Sequence, residues 1–335
     1  MLAAFFAAPA CIAAVPAYGL VGSFELPLGA GAFDVAPDGR VVAIRGGEIF
    51  TQDAPSASAF TKAGSVPGSL INAFGASFLR VSPGGGRIAV GDGNSGGAAS
   101  VLLVDVASLN PSADSPVAPV VSANYDAAWA SEGTLLVTGA NFGIGSFVNR
   151  VSVDTLSSAT VLTGVGDGSG GVALRGGRAF VGAGFDLTPG AGVETGDIRA
   201  FDAAVLLSTA TPIDFGSAGT LAARALSGAF LAFDGVGSLI VGGGDFFGES
   251  GFASVIDGAA IDAALAGGPF ATSANGVTLA PAGSQFYSTT FNALTNEVLV
   301  RAFGDDTVFR YAVPAPSVMI MALFGGVFAH RRRRG

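Results

Sequence analysis

"SPGGGRIAVGDG", Ser82 to Gly93, packs a tight Gly-rich turn, a short apolar strand and the start of a polar loop into twelve residues. The same order returns as "APDGRVVAIRGG" from Ala36, "ASEGTLLVTGAN" from Ala130, "LRGGRAFVGAGF" from Leu174, "DGVGSLIVGGGD" from Asp234 and "ALTNEVLVRAFG" from Ala293. With Gly39, Gly86, Gly133, Gly177, Gly237 and Thr295 as phase markers, the spacings are 47, 47, 44, 60 and 58 residues. A period in this range marks a repeat architecture in which each unit buries its apolar faces against its neighbours.

A further strand follows each loop and runs into Asp: "SVLLVDVASL", "NRVSVDTLSS", "DIRAFDAAVL" and "ASVIDGAAI" place Asp105, Asp154, Asp202 and Asp257 in matching positions. These aspartates read as caps on the turn that follows. Six units, each able to supply four strands, predict an all-β chain folded as a six-bladed β-propeller, with a β-sandwich pair or β-solenoid as the alternatives. The last unit holds only three strands, while "GSFELPLG" before the first unit is an unassigned strand. An N-terminal strand that completes the last blade closes the ring and removes an open edge.

Composition agrees with short strands and tight turns. The 335 residues include 52 Gly and 26 Phe, are 50% hydrophobic and are only 12% charged. That is the opposite of a disordered chain and too poor in charge for amphipathic helices with solvated outer faces.

Both ends read as addresses. "MLAAFFAAPACIAAVPA" is small and apolar throughout, and Val15-Pro16-Ala17 offers the small residues a signal peptidase reads. The expected cut lies between Ala17 and Tyr18, making residues 1–17 a signal peptide, although no Lys or Arg stands near the start. A buried N-terminal segment is the alternative. At the other end Pro314-Ala315-Pro316 is followed by twelve apolar residues, Val318 to Ala329, and then Arg331, Arg332, Arg333 and Arg334. Twelve is short against the roughly 20 a spanning helix needs. A basic cluster after an apolar helix stays on the cytoplasmic side, so everything before it lies outside.

That Pro-x-Pro element, short apolar helix with Gly325 and Gly326, and terminal Arg cluster resemble the PEP-CTERM sorting signal over residues 314–335. Ala315 stands where the pattern has Glu. The resemblance implies processing by an exosortase-like enzyme, transient anchoring in the inner membrane, and an ectodomain, residues 18–313, delivered to the cell surface or an extracellular polysaccharide matrix. A plain single-span anchor is the alternative reading.

Without these ends, twelve basic residues remain against 25 acidic ones, a net charge of −13. This argues against nucleic acid as a partner, since that affinity comes from Lys and Arg on phosphates. Both His330 and Cys11 fall in the end segments, so the region between them cannot hold a Ser-His-Asp or Cys-His centre, a His-ligated zinc or a disulfide. The expectation drawn from this is a non-enzymatic surface or matrix protein without a required cofactor. The alternatives are a carboxylate-based extracellular glycan hydrolase or lyase and a calcium-dependent binding module.

Ligands of propellers gather in or around the central channel, here expected on the face made by the loops between second and third strands and between blades. Those loops hold Asp92 and Asn94, Asn141, Asp186 and Glu194, Asp245 and Glu249, and Asp305 and Asp306, with Tyr125, Asp126 and Asp167 between blades. Asp92, Asn94, Asp245 and Glu249 are the calcium candidates, because carboxylate and amide oxygens suit that ion. Asp and Asn beside Gly are also ordinary turn residues. Trp129 is expected in the core or channel lining, and Phe142, Phe246 and Phe247 as a candidate sugar platform.

Overall fold

In the computed structural model the described residues are 17–68, 77–92, 100–121, 124–141, 145–165, 169–183, 196–244, 251–280 and 287–315. They form six antiparallel four-stranded sheets arranged as the blades of a propeller. Blade 1 runs through Ala32–Val35, Val41–Arg45, Glu48–Gln52 and Phe60–Ser65. Blade 6 takes Tyr287–Asn292, Glu297–Ala302 and Thr307–Ala312 from the C-terminal end and Gly19–Glu25 from the N-terminal end. The register of that closing pair, Gly19 opposite Ala312 and Glu25 opposite Thr307, is the closure expected from the sequence.

The second strand of each blade is almost continuously apolar because both of its faces are covered. Side chains alternate across a strand, so neighbours in sequence point into different interblade layers. In Leu239–Gly243, Val241 packs toward blade 4 with Phe180 and Ile198, whereas Ile240 packs toward blade 6 with Val298 and Val300. Six such apolar clusters occupy the six junctions between blades. Burial at each junction holds the ring together, at roughly 25 cal/mol per Å² of apolar surface removed from water.

Glycine permits close approach where two blades meet backbone to backbone. A Cβ on Gly182 would lie 2.3 Å from the Gly228 carbonyl oxygen, and one on Gly171 would lie 2.5 Å from the Leu231 nitrogen.

The long spacings of 60 and 58 residues have a structural cause. Blade 4 inserts the helices Ala203–Ser208 and Phe215–Ala218 between its third and fourth strands, and blade 5 inserts Gly258–Leu265 and a 3₁₀ turn at Ser273–Asn275. The aspartates after the third strands open these insertions. Asp202 accepts from the Ala204 and Val205 amides, Asp257 from Ala259, and Asp105 from Ala107 in a short 3₁₀ turn. Asp154 instead lies 3.9 Å from Arg87 on the surface. Ile213–Asp214 adds a short parallel fifth strand to blade 3, which the sequence reading did not contain.

Candidate functional site in the central channel

The first strand of every blade faces the channel. Polar or charged side chains interrupt these strands or their starts, among them Asp34 in "AFDV", Arg80 in "FLRV", Asp126 in "DAAWAS", and Thr289 and Thr290 in "YSTTFN". Asp34, Arg80, Asp126 and Thr290 stitch neighbouring blades together. Asp34 Oδ2 accepts from the Val81 amide at 2.9 Å, 47 residues on. Arg80 Nε donates to the Ala127 carbonyl at 3.0 Å, and Asp126 Oδ2 accepts from the Val172 amide at 3.2 Å. The Thr290 hydroxyl donates to Asp34 Oδ1 at 3.0 Å, so blade 6 is tied to blade 1.

The charges are unevenly shared. Arg80 lies 2.5 Å from Asp126 but 3.9 Å from Asp34. Burial pushes the Asp126 carboxyl up to about 6, against the pull of Arg80 and the backbone amides. Burial also works against the Arg80 charge, but Asp126 and Asp34 outweigh it and hold the guanidinium pKa above its ordinary value.

Above this charged floor opens a cavity of about 290 Å³, walled by Val81, Pro83, Trp129, Leu174, Leu231 and Phe233 and with Asp34, Arg80, Thr289 and Thr290 in its lining. The Trp129 indole is fixed by its own N–H, which donates to the Arg80 carbonyl at 3.1 Å. The Thr289 hydroxyl is buried without a hydrogen-bond partner, one of a few such atoms among the described residues. Polar and apolar groups share the lining of this concave site, which gives a small molecule both hydrogen-bond partners and a hydrophobic wall.

This cavity opens on the face opposite the one the sequence reading favoured, and most loops of that other face lie outside the described residues. Its lining comes from the middle and C-terminal ends of the first strands and from the hairpin at Pro83. In an antiparallel blade those ends lie opposite the loops between second and third strands. Asp126, expected in an interblade loop, is a fully buried residue at the start of a channel strand.

Of the residues expected on the other face, Asn94, Asp167, Asp186, Glu194, Asp245 and Glu249 lie outside the described residues, as do Phe142, Phe246 and Phe247. Asp92 is buried at the end of a second strand, and Asn141 ends another. Tyr125 precedes the first strand of blade 3, its amide bonded to the Thr138 carbonyl. Asp305 and Asp306 serve the last hairpin, Asp305 accepting from the Thr307 amide and Asp306 from the Gly29 amide. Among the described residues no group of three or more acidic, His or Cys side chains gathers in a way that could hold a metal ion. No described helix is long and apolar enough to cross a membrane; Pro316, Val318–Ala329 and Arg331 to Arg334 lie outside the described residues.

No protein-family model and no curated protein matches this chain. Among solved structures it is similar to a gluconolactonase from Xanthomonas campestris, at 13% identity and a TM-score of 0.56, over 90% of this chain and 97% of that one. A chain of a mitotic checkpoint complex aligns over 94% of this chain and 99% of its own at 14% identity, with a TM-score of 0.49. The first likeness is one of fold. It nevertheless overturns the expectation that this chain is not an enzyme. That expectation rested on missing His and Cys chemistry in a propeller, and a protein described as a gluconolactonase carries the same fold.

Proposed function

We propose that this protein is an exported six-bladed propeller, presented at the cell surface or in an extracellular polysaccharide matrix, that takes a small carbohydrate-derived molecule into its channel cavity. The observation that carries the ligand reading is the pairing of a charged, hydroxyl-bearing floor with the Trp129 wall. Sugars present hydroxyls along their edges and C–H groups on their faces, which suits polar groups beneath an aromatic ring. The volume fits one or two sugar rings rather than a long chain.

Export is supported by the two address-like ends of the sequence. Tyr18, the residue after the expected cut, bonds through its hydroxyl to Asp234, and Val313, just before Pro314, is buried between blades 5 and 6. The name of the Xanthomonas protein makes aldonolactones natural probes beside sugars. Trp129 is the one tryptophan in the sequence, so its fluorescence reports directly on the cavity. The test is a fluorescence titration of the full-length protein with monosaccharides, aldonolactones and short oligosaccharides, each also assayed for turnover. A saturable change with at least one of these, and none with sugar-free polyol controls, is expected. A flat response across the panel would overturn the cavity reading.

A further inference from the structure

We propose that the cavity selects its ligand by charge, taking an amino sugar whose ammonium group sits on Asp34 and whose ring lies against Trp129, and rejecting the matching uronic acid. This rests on the channel-cavity reading above and deepens it. The floor contains two carboxylates and one guanidinium, and the guanidinium is committed. Arg80 spends its Nη2 on Asp126 at 2.5 Å, its Nε on the Ala127 carbonyl and its Nη1 on the Leu79 carbonyl. Asp126 is fully buried beneath it.

Asp34 is therefore the carboxylate left over. It lies 3.9 Å from Arg80, beyond hydrogen-bond length, and lines the cavity. Each of its oxygens takes one donor, from Val81 and from Thr290, which leaves a second lone-pair site on each. The cavity floor carries one net negative charge, so a cation is attracted and an anion repelled. On the hairpins around this end Asp38 pairs with Arg40 at 2.7 Å and Arg175 with Asp262 at 2.8 Å, Glu132 accepts from the Gly84 amide beside Pro83, and Arg178 closes the hairpin of blade 4. The Trp129 ring adds a second attraction for an ammonium group, through its negative face. The buried hydroxyl of Thr289 is an unused partner in the same lining.

The experiment compares glucosamine, glucose and glucuronate, three pyranoses that differ mainly in charge, by Trp129 fluorescence on the full-length protein at pH 7.5. Glucosamine is expected to bind at least tenfold tighter than glucose, with glucuronate weakest, and added salt narrows the gap. In Asp34→Asn the gap closes, glucosamine falling to the level of glucose. Circular dichroism checks that this variant is folded; if it is not, the wild-type ranking alone decides. Equal affinity for all three sugars, or glucuronate binding tightest, overturns charge selection and leaves the cavity reading standing. No response to any of the three, or to the wider panel, overturns both.

Discussion

The hydroxyl of Tyr18 donates to Asp234 Oδ2 at 2.5 Å, joining residues 216 positions apart. Tyr18 leads into the strand that closes blade 6, and Asp234 sits in the first hairpin of blade 5, where it also accepts from the Val236 and Ser238 amides. Burial and the Asp234 carboxylate both push the Tyr18 pKa well above the usual phenol range, so the phenol stays a donor at any physiological pH. The contact fastens the start of the closing strand, where Gly19 lies opposite Ala312.

Removing only that bond, in Tyr18→Phe, is expected to cost about 1 kcal/mol, the usual net value of a hydrogen bond, and to lower Tm by a few degrees. Deleting Gly19–Glu25 is a different perturbation. It exposes the Thr307–Ala312 edge and uncovers Val308 and Leu299, and the expected result is aggregation or loss of cooperative unfolding, read by calorimetry and light scattering. A deletion that melts like the intact protein would mean the ring does not depend on its N-terminal strand.

Glycine at the blade 4 and blade 5 junction gives a packing prediction. Gly182→Ala puts a methyl group 2.3 Å from the Gly228 carbonyl oxygen, where only backbone movement can relieve it. A loss of about 1–3 kcal/mol is expected by urea denaturation. Gly86→Ala, where a Cβ meets nothing within 4 Å, is the control and should change stability little.

Asp126 sets the sign of one pH effect. Its folded pKa of about 6 lies above its unfolded value near 3.8, so the folded state binds more protons between the two. This contribution to stability is fully present below about pH 4 and is lost as pH rises through 6. Exposed carboxylates with lowered pKa, such as Asp305, act in the opposite sense. The measurement is therefore the stability of the wild type relative to Asp126→Asn across pH 4 to 7.5. Wild type should lose ground steadily up to about pH 6.5 and then level off; a difference that grows with pH would contradict the assignment.

Export predicts masses. In its own host the mature protein is expected to begin near Tyr18, to end near Pro314, and to be found outside the cell or on its surface. Replacing Arg331 to Arg334 with Ala should block processing of the tail. Full-length chain in the cytoplasm would overturn both address readings.

Much of the architecture was legible because a propeller repeats its local chemistry. The turn at Asp38-Gly39, with Gly39 at φ 80°, and the apolar run after it recur closely enough to be counted. In the corresponding turn after Asp234 the positive φ falls at Gly237, the residue that marks the phase of that repeat. The helical insertions showed in the sequence only as longer spacings, because "DAAVLLS" and "DGAAIDAAL" resemble strand-to-turn segments until their Asp caps are seen. The channel site was the part least visible. Asp34 and Arg80 stand out as charges inside apolar strands, a signal that was present in the sequence. What they bond lies one blade away, and no local pattern says that Arg80 goes to Asp126 and leaves Asp34 behind. The polar loops drew attention to the opposite face because turn-forming Asp and Asn are abundant there whatever those loops do.

The most direct test is a co-crystal structure of the protein with the tightest-binding sugar from the fluorescence panel. The account predicts ordered sugar in the channel, its ring against Trp129 and a polar group within hydrogen-bond distance of Asp34. Sugar bound on the face of the loops between second and third strands, with the Trp129 cavity empty, would contradict it.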